Sequence, residues 1–342
     1  MIQWWNTTFG ERDVVRVSRA IYSRNISQGP VTREFEKRLG AVLGVPYVVC
    51  TTSGTTALTM ALLAAGVGPG DEVIVPNRTW IATAHAVMMT GAKVRLADVD
   101  ERGLLGTFNL HGKVRAIIPV HLNGRYLALA AEILGHLKRN DIAVIEDSCQ
   151  AFPKPPAGDM TCYSFSTAKL LPTGQGGCVA TRDESLYREL LSLRTHDVPD
   201  AMDPAPIRWR RFGYNFRYND ILASIGLAQL DRLDERIARL HEIRKLYAEG
   251  LPGYLELLPC EGVPLYSEVL YADSERLLAH LLHHDIQARP NYPGLNTAPY
   301  LNDSREFPAS ERFTHGLTLP SGPAQTNADI HRVIDTLRVY PG

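Results

Sequence analysis

Lys169 closes the segment Tyr163-Ser164-Phe165-Ser166-Thr167-Ala168-Lys169, where one amine stands among hydroxyls and apolar side chains just past the end of an expected strand. Burial disfavours an ammonium, so this setting could lower the lysine pKa and free the amine to attack a carbonyl carbon. One strand earlier an apolar run ends in Glu146-Asp147-Ser148-Cys149-Gln150. Two adjacent carboxylates allow general acid–base work, helix capping, or one buried Asp held against a protonated ring nitrogen. No His or third carboxylate nearby completes a metal set, so no metal is expected. His121 has two open readings, a strand-end hydrogen bond or a direct role.

Two further clusters could bind anions. Ser53-Gly54-Thr55-Thr56 follows a strand and opens a helix, where first-turn N–H groups and the helix dipole favour phosphate, although simple Ser or Thr capping uses the same residues. Gly213-Tyr214-Asn215-Phe216-Arg217-Tyr218 crowds rings, an amide and a guanidinium ahead of a long helical pattern. It reads either as aromatic packing with a salt bridge or as an anion site reaching into a neighbouring subunit.

The elements that must position these groups alternate β-branched runs with helical patterns from about residue 47 to 181, as in an α/β domain around a mostly parallel sheet. Strands are expected near 47–51, 73–77, 93–100, 116–122, 142–148, 162–166 and 177–181, with helices over 53–65, 80–91, 127–139 and 183–194. In such sheets ligands sit beyond the carboxyl ends of the strands, where the clusters above fall. Residues 218–250 predict one long amphipathic helix stopped by Gly250, and helices near 274–284 and 327–338 belong to a small α/β cap. The division expected is 1–240 for the large domain and 241–342 for the small one.

Composition narrows the partners. With 36 Lys and Arg against 37 Asp and Glu, and 45 % hydrophobic residues, the chain has no charge excess for nucleic acid. No stretch approaches the roughly 20 apolar residues of a membrane span. The segment MIQWWNTTFGERDVVR lacks the pattern of a signal peptide. Five widely spaced cysteines suit free thiols, and a cytoplasmic protein is expected.

In order along the chain, ISQGP (26–30), SGTTAL (53–58), PVHLNG (119–124), EDSCQA (146–151), YSFSTAK followed by GQGG, and GYNFRYNDILASIGLAQLDRLD (213–234) resemble the DegT/StrS family of pyridoxal-phosphate sugar aminotransferases. The resemblance spans nearly the whole chain. It implies a type I aminotransferase fold, with a large domain around a mostly parallel sheet and a small C-terminal α/β domain. It also implies a homodimer with shared active sites. Lys169 takes the position of the Schiff-base lysine and proton shuttle, and Asp147 that of the partner of the ring nitrogen. Trp80 would stack on the ring, its alternative being a packed core tryptophan. Gln150 would lie near the ring hydroxyl, Gly54, Thr55 and Ser164 would hold the phosphate, and Asn215 would reach across from the partner subunit. Ser27, Gln28, Gly29 and Arg217 would face the substrate.

The implied reaction takes an amino group from a donor such as L-glutamate to the keto carbon of a nucleotide-linked sugar. The alternatives are a keto-cyclitol acceptor or a non-catalytic, cofactor-binding regulatory homologue. The family's dehydratases resemble this sequence with His in place of the lysine, so Lys169 argues against that chemistry. Gly174-Gln175-Gly176-Gly177 departs from the family's Gly-Glu-Gly-Gly, and the segment after Gln150 is short.

Overall fold

The computed structural model describes residues 1–198, 206–207 and 211–341. Seven strands form the large sheet: β1 (Tyr47–Thr51), β2 (Glu72–Pro76), β3 (Lys93–Ala97), β4 (Val114–Ile117), β5 (Ala143–Asp147), β6 (Met160–Ser164) and β7 (Gly177–Thr181). Their order is β1-β7-β6-β5-β4-β2-β3. From β6 to β3 every pairing is parallel, while β7 runs antiparallel to both β6 and β1. The fold is the α/β arrangement expected.

Both faces of this sheet are covered, which explains why its strands read as continuous apolar runs. Successive strand residues point to opposite faces. Val49 and Val179 accordingly join the core under the helix Gly54–Ala64, with Leu58, Ala61 and Leu62. Their neighbours Val48, Cys50, Cys178 and Ala180 pack on the other side, against Phe35 and Leu39 of the helix Pro30–Leu43 and Ala223 and Leu227 of the helix Asp220–Leu230. Gly226 permits that packing, since a Cβ there would lie 2.5 Å from the Phe35 ring.

Residues 218–250 do not form the single helix expected from their periodicity. The helix Asp220–Leu230 ends, and a second runs over Leu233–Gly250. The Asp231 carboxylate at the break is held by Arg38 at 2.8 Å and Arg16 at 3.1 Å. The first helix is buried in the large domain through Ala223, Leu227 and Leu230. The second spans two cores, with Leu233 and Leu240 in that same one and Ile243 and Tyr247 in the small domain.

The second sheet contains β8 (Glu256–Leu257), β9 (Ser267–Leu270), β10 (Arg289–Pro290) and β11 (Gly316–Leu319), in the order β10-β11-β9-β8 and antiparallel throughout. Helices Ser274–His283 and Asn327–Arg338 cover it through Leu277, Leu281, Ile330 and Val333. Ile2 joins the same core. Its N–H donates to Asp285 O at 2.8 Å, and Gln287 N–H donates to Ile2 O at 2.8 Å. The first residues are thereby stitched to the small sheet, which brings Trp4 to the boundary with the large one. Among the described residues no helix is long and apolar enough to cross a membrane.

Candidate active site

A cavity of about 560 Å³ opens between the carboxyl ends of the large sheet's strands and one face of the small sheet. Seven residues singled out from the sequence line it: Gly54, Thr55, Trp80, Asp147, Gln150, Ser164 and Lys169. They come from the ends of four different strands or the segments that follow them, so the site exists only once the sheet has formed.

The two carboxylates at the end of β5 separate by strand alternation. Asp147 lines the cavity and is 5 % exposed. Its Oδ2 accepts from Thr83 Oγ1 at 2.8 Å and its Oδ1 from Cys149 N–H at 3.0 Å, which fixes the orientation of the group. Glu146 points away into a polar knot of its own. It accepts from Lys154 Nζ at 2.7 Å, Thr161 Oγ1 at 2.5 Å and the N–H groups of Ala157 and Gly158. Burial alone would raise the Glu146 pKa, but His121 and Lys154 outweigh it and hold the carboxyl well below its usual range.

His121 belongs to that knot and does not line the cavity. Its Nδ1 accepts from Leu127 N–H at 3.1 Å, so the ring proton sits on Nε2 and is donated to Glu146 at 2.9 Å. Burial lowers its pKa more than Glu146 raises it. Of its two readings, the strand-end hydrogen bond is the one the geometry supports.

Lys169 faces Tyr266, with Nζ 5.7 Å from the ring centroid. Burial favours the neutral amine, yet the surrounding groups, Tyr266 first and then Cys149, Asp147 and Tyr292, outweigh it, and the net shift is upward. The expected lowering of this pKa is therefore not found in the chain by itself. The cavity that desolvates the amine also places the Asp147 carboxylate within its field.

Gly54 sits where a Cβ would fall 2.9 Å from both Cys149 Sγ and Ser164 Cβ. Ser53 caps the helix by accepting from Thr56 N–H at 3.1 Å, so Gly54 and Thr55 lead the helix with N–H groups that have no acceptor one turn back. A phosphate fits such a cradle. Trp80 is 59 % exposed, not a packed core residue, and its ring meets Tyr292 edge-on with centroids 6.2 Å apart. Glycine cradle, oriented carboxylate, amine and open indole together fit pyridoxal phosphate.

The other expected residues lie outside this cavity in the single chain. Arg217 donates to Asn215 Oδ1 at 3.1 Å and to Thr195 O at 3.3 Å. In the Ser27-Gln28-Gly29 loop, Gly29 N–H donates to Asp220 Oδ1 at 2.9 Å, and Asp220 also accepts from Thr32 N–H and Oγ1, pinning the start of the helix Pro30–Leu43.

Sequence reasoning missed the carboxylate of the cavity's small-domain wall. Glu268 lies on that wall, 3 % exposed, and accepts from Arg78 Nη2 at 2.6 Å and Arg125 Nη2 at 2.5 Å. Burial opposes its charge, but the two guanidinium groups prevail and hold its pKa down to about 2. A carboxylate inside the apolar run Ser267-Glu268-Val269-Leu270 was the available signal. Trp4, Tyr266, Arg289 and Tyr292 complete the wall.

A sequence model of the DegT/DnrJ/EryC1/StrS aminotransferase family matches residues 8–338, and the chain belongs to this family of enzymes. It is 38 % identical to a GDP-perosamine synthase of Caulobacter vibrioides over 242 residues, which cover 66 % of this chain and 63 % of that protein. It is 29 % identical over 336 residues to the GDP-perosamine synthase of Escherichia coli O157:H7, covering 92 % of this chain and 91 % of that protein. The crystal structure of the sugar aminotransferase CalS13 from Micromonospora echinospora superimposes with a TM-score of 0.91 at 26 % identity, covering 99 % of this chain and all of that one. The aminotransferase TlmJ from Streptoalloteichus hindustanus gives 0.90 at 27 % identity, covering 99 % and 98 %.

Proposed function

We propose that this protein is a pyridoxal-phosphate-dependent aminotransferase that moves an amino group from an amino acid, L-glutamate by resemblance, to the keto carbon of a nucleotide-linked sugar. The observation that carries this reading is the meeting of Asp147 and Lys169 in one cavity with a glycine-led helix N-terminus. Two GDP-perosamine synthases among the relatives support the acceptor class.

The cofactor, when bound, supplies a carbonyl carbon that condenses with amines and a ring that takes up the electron pair released at the substrate carbon. The chain's own groups do the rest. The first N–H groups of the helix Gly54–Ala64, with Ser164, would hold the phosphate. Asp147, fixed by Thr83 and Cys149 N–H, would keep a proton on the ring nitrogen. Trp80 would cover the ring face and Gln150 would lie near its hydroxyl. Lys169 Nζ would anchor the cofactor and, once released by an incoming amine, carry the proton between the two reacting carbons.

A homodimer belongs to this proposal, because Asn215, Arg217 and the Ser27–Gly29 loop lie outside their own chain's cavity and would serve the partner's. The five cysteines, all unpaired, suit the reducing cytoplasm. The test is the visible absorption of the purified protein with pyridoxal phosphate. A yellow band that bleaches on adding L-glutamate is expected, and protein that forms no band would overturn the cofactor assignment.

A further inference from the structure

We propose that Arg289 is the anion anchor of this cavity, the group that receives the oxyanion carried by a substrate away from its reacting carbon. The inference rests on the aminotransferase reading and assigns a specificity residue within it. Two sources share the chemistry: the diphosphate of a nucleotide-linked acceptor and a carboxylate of the amino donor.

The small-domain wall is a single cross-strand row. Arg289 of β10 stands opposite Thr318 of β11, and Thr318 stands opposite Glu268 of β9. Residues directly opposite one another in a sheet point to the same face, and here all three line the cavity. The row carries one negative and one positive end, separated by two strand spacings, roughly 10 Å.

The charges do not cancel each other. Glu268 is engaged by Arg78 and Arg125 from the large-domain side. Arg289 has no carboxylate within 4.0 Å among the described residues. Among the described residues the lysine and arginine on the cavity wall are Lys169 and Arg289, and the proposed function commits Lys169 to the cofactor. Arg289 is the cation that this chain's own wall leaves for a substrate, beside the Arg217 that the proposed homodimer would bring from the partner subunit.

Its guanidinium is also placed. The Cζ lies 5.1 Å from the centre of the Trp4 ring. Trp4 is fixed in turn by Tyr266, with centroids 5.6 Å apart, and by a backbone bond from Ser321 N–H at 3.1 Å. Stacking of this kind orients a guanidinium while leaving its in-plane N–H donors free for bidentate contact with an oxyanion.

The test uses the holoenzyme and the variants Arg289→Gln and Arg289→Lys, with calorimetric titration of GDP as the nucleoside diphosphate probe and glutarate as the dicarboxylate probe. The side chain is exposed, so both variants should fold and keep the cofactor absorption of the wild type. Loss of charge-assisted bonds weakens binding on the order of 10- to 100-fold in Arg289→Gln, with partial recovery in Arg289→Lys. Weakening of GDP alone identifies the acceptor diphosphate, weakening of glutarate alone the donor carboxylate, and weakening of both a group used by the two in turn. Unchanged affinity for both probes, or wild-type protein that binds neither, overturns the assignment. An absent cofactor band would refute the aminotransferase reading instead, and the two failures are read separately.

Discussion

The hydroxyl of Thr83 donates to Asp147 Oδ2 at 2.8 Å, from a helix that follows β2 to a carboxylate that ends β5. Thr79 Oγ1 lies 2.8 Å from the same Thr83 hydroxyl and extends the chain of bonds. Thr83 therefore orients the acid without itself lining the cavity. Thr83→Val keeps the shape and removes the donor, and kcat should fall about 10- to 100-fold. The cofactor absorption should shift as well, which a purely structural loss would not cause. A variant with wild-type spectrum and kcat would refute the role.

Asp147→Asn removes the charge that would hold a proton on the ring nitrogen. The expected loss is larger, on the order of 10²–10³ in kcat, with the cofactor still bound. Stopped-flow absorbance of the half-reaction with L-glutamate measures it directly.

Lys169→Ala should abolish turnover and leave the fold intact, because the side chain lines a cavity and holds no structural bond of its own in the described network. Circular dichroism checks the fold, and the yellow band should be lost or shifted. Retained transamination in clean protein would sink the assignment.

Glu268 gives the protein an acid-sensitive joint between its two sheets. Its folded pKa, about 2, lies below the ordinary value of 4.5, so its contribution is fully present above pH 4.5 and is lost as pH falls toward 2. His121 has the same sign, since its pKa is depressed from 6.5 and the unfolded chain binds the extra proton as pH drops below that value. Melting temperature should therefore decline from about pH 6.5 downward, with a steeper loss below 4.5. Glu268→Gln leaves Arg78 and Arg125 buried without their anion and should cost about 3–5 kcal/mol at pH 7 in urea unfolding. Its stability should also lose the share of the dependence between pH 4.5 and 2 that Glu268 supplies, while Glu146, whose carboxyl is also held low, keeps its own share.

Gly54→Ala should cost cofactor affinity more than fold. The new Cβ meets Cys149 Sγ and Ser164 Cβ at 2.9 Å, and overpacking of this kind costs about 1–3 kcal/mol. Because Gly54 and Ser164 belong to the proposed phosphate cradle, the displacement should appear as a raised Kd for pyridoxal phosphate, measured by fluorescence titration.

The large-domain side of the cavity was legible in the sequence because it is built from local punctuation. Ser53-Gly54-Thr55, Asp147 and Lys169 each follow an apolar run, and a strand's carboxyl end is where an α/β sheet presents its ligands. The row on the small-domain wall was not, because Glu268, Thr318 and Arg289 are brought together only by the register of β9, β10 and β11. Strands of two to four residues leave little periodicity to read. The break at Asp231 was hidden for a different reason: each half of residues 218–250 is a good helix, and the Arg16 and Arg38 side chains that meet the Asp231 carboxylate at the break come from far back in the sequence.

The stitching of Ile2 to Asp285 and Gln287, and of Trp4 to Ser321, sets an order of assembly. Ile2 and Trp4 acquire these partners only after residues 285–321 have been made. Contacts so distant in sequence carry the largest loop-closure cost and form late, while domains tend to fold as units from the amino-terminal side during synthesis. During synthesis the large sheet can thus exist before the wall bearing Trp4 and Arg289 is in place. On the proposed function, cofactor binding would mature ahead of substrate selectivity, and Ile2 and Trp4 would take their seats after the large sheet.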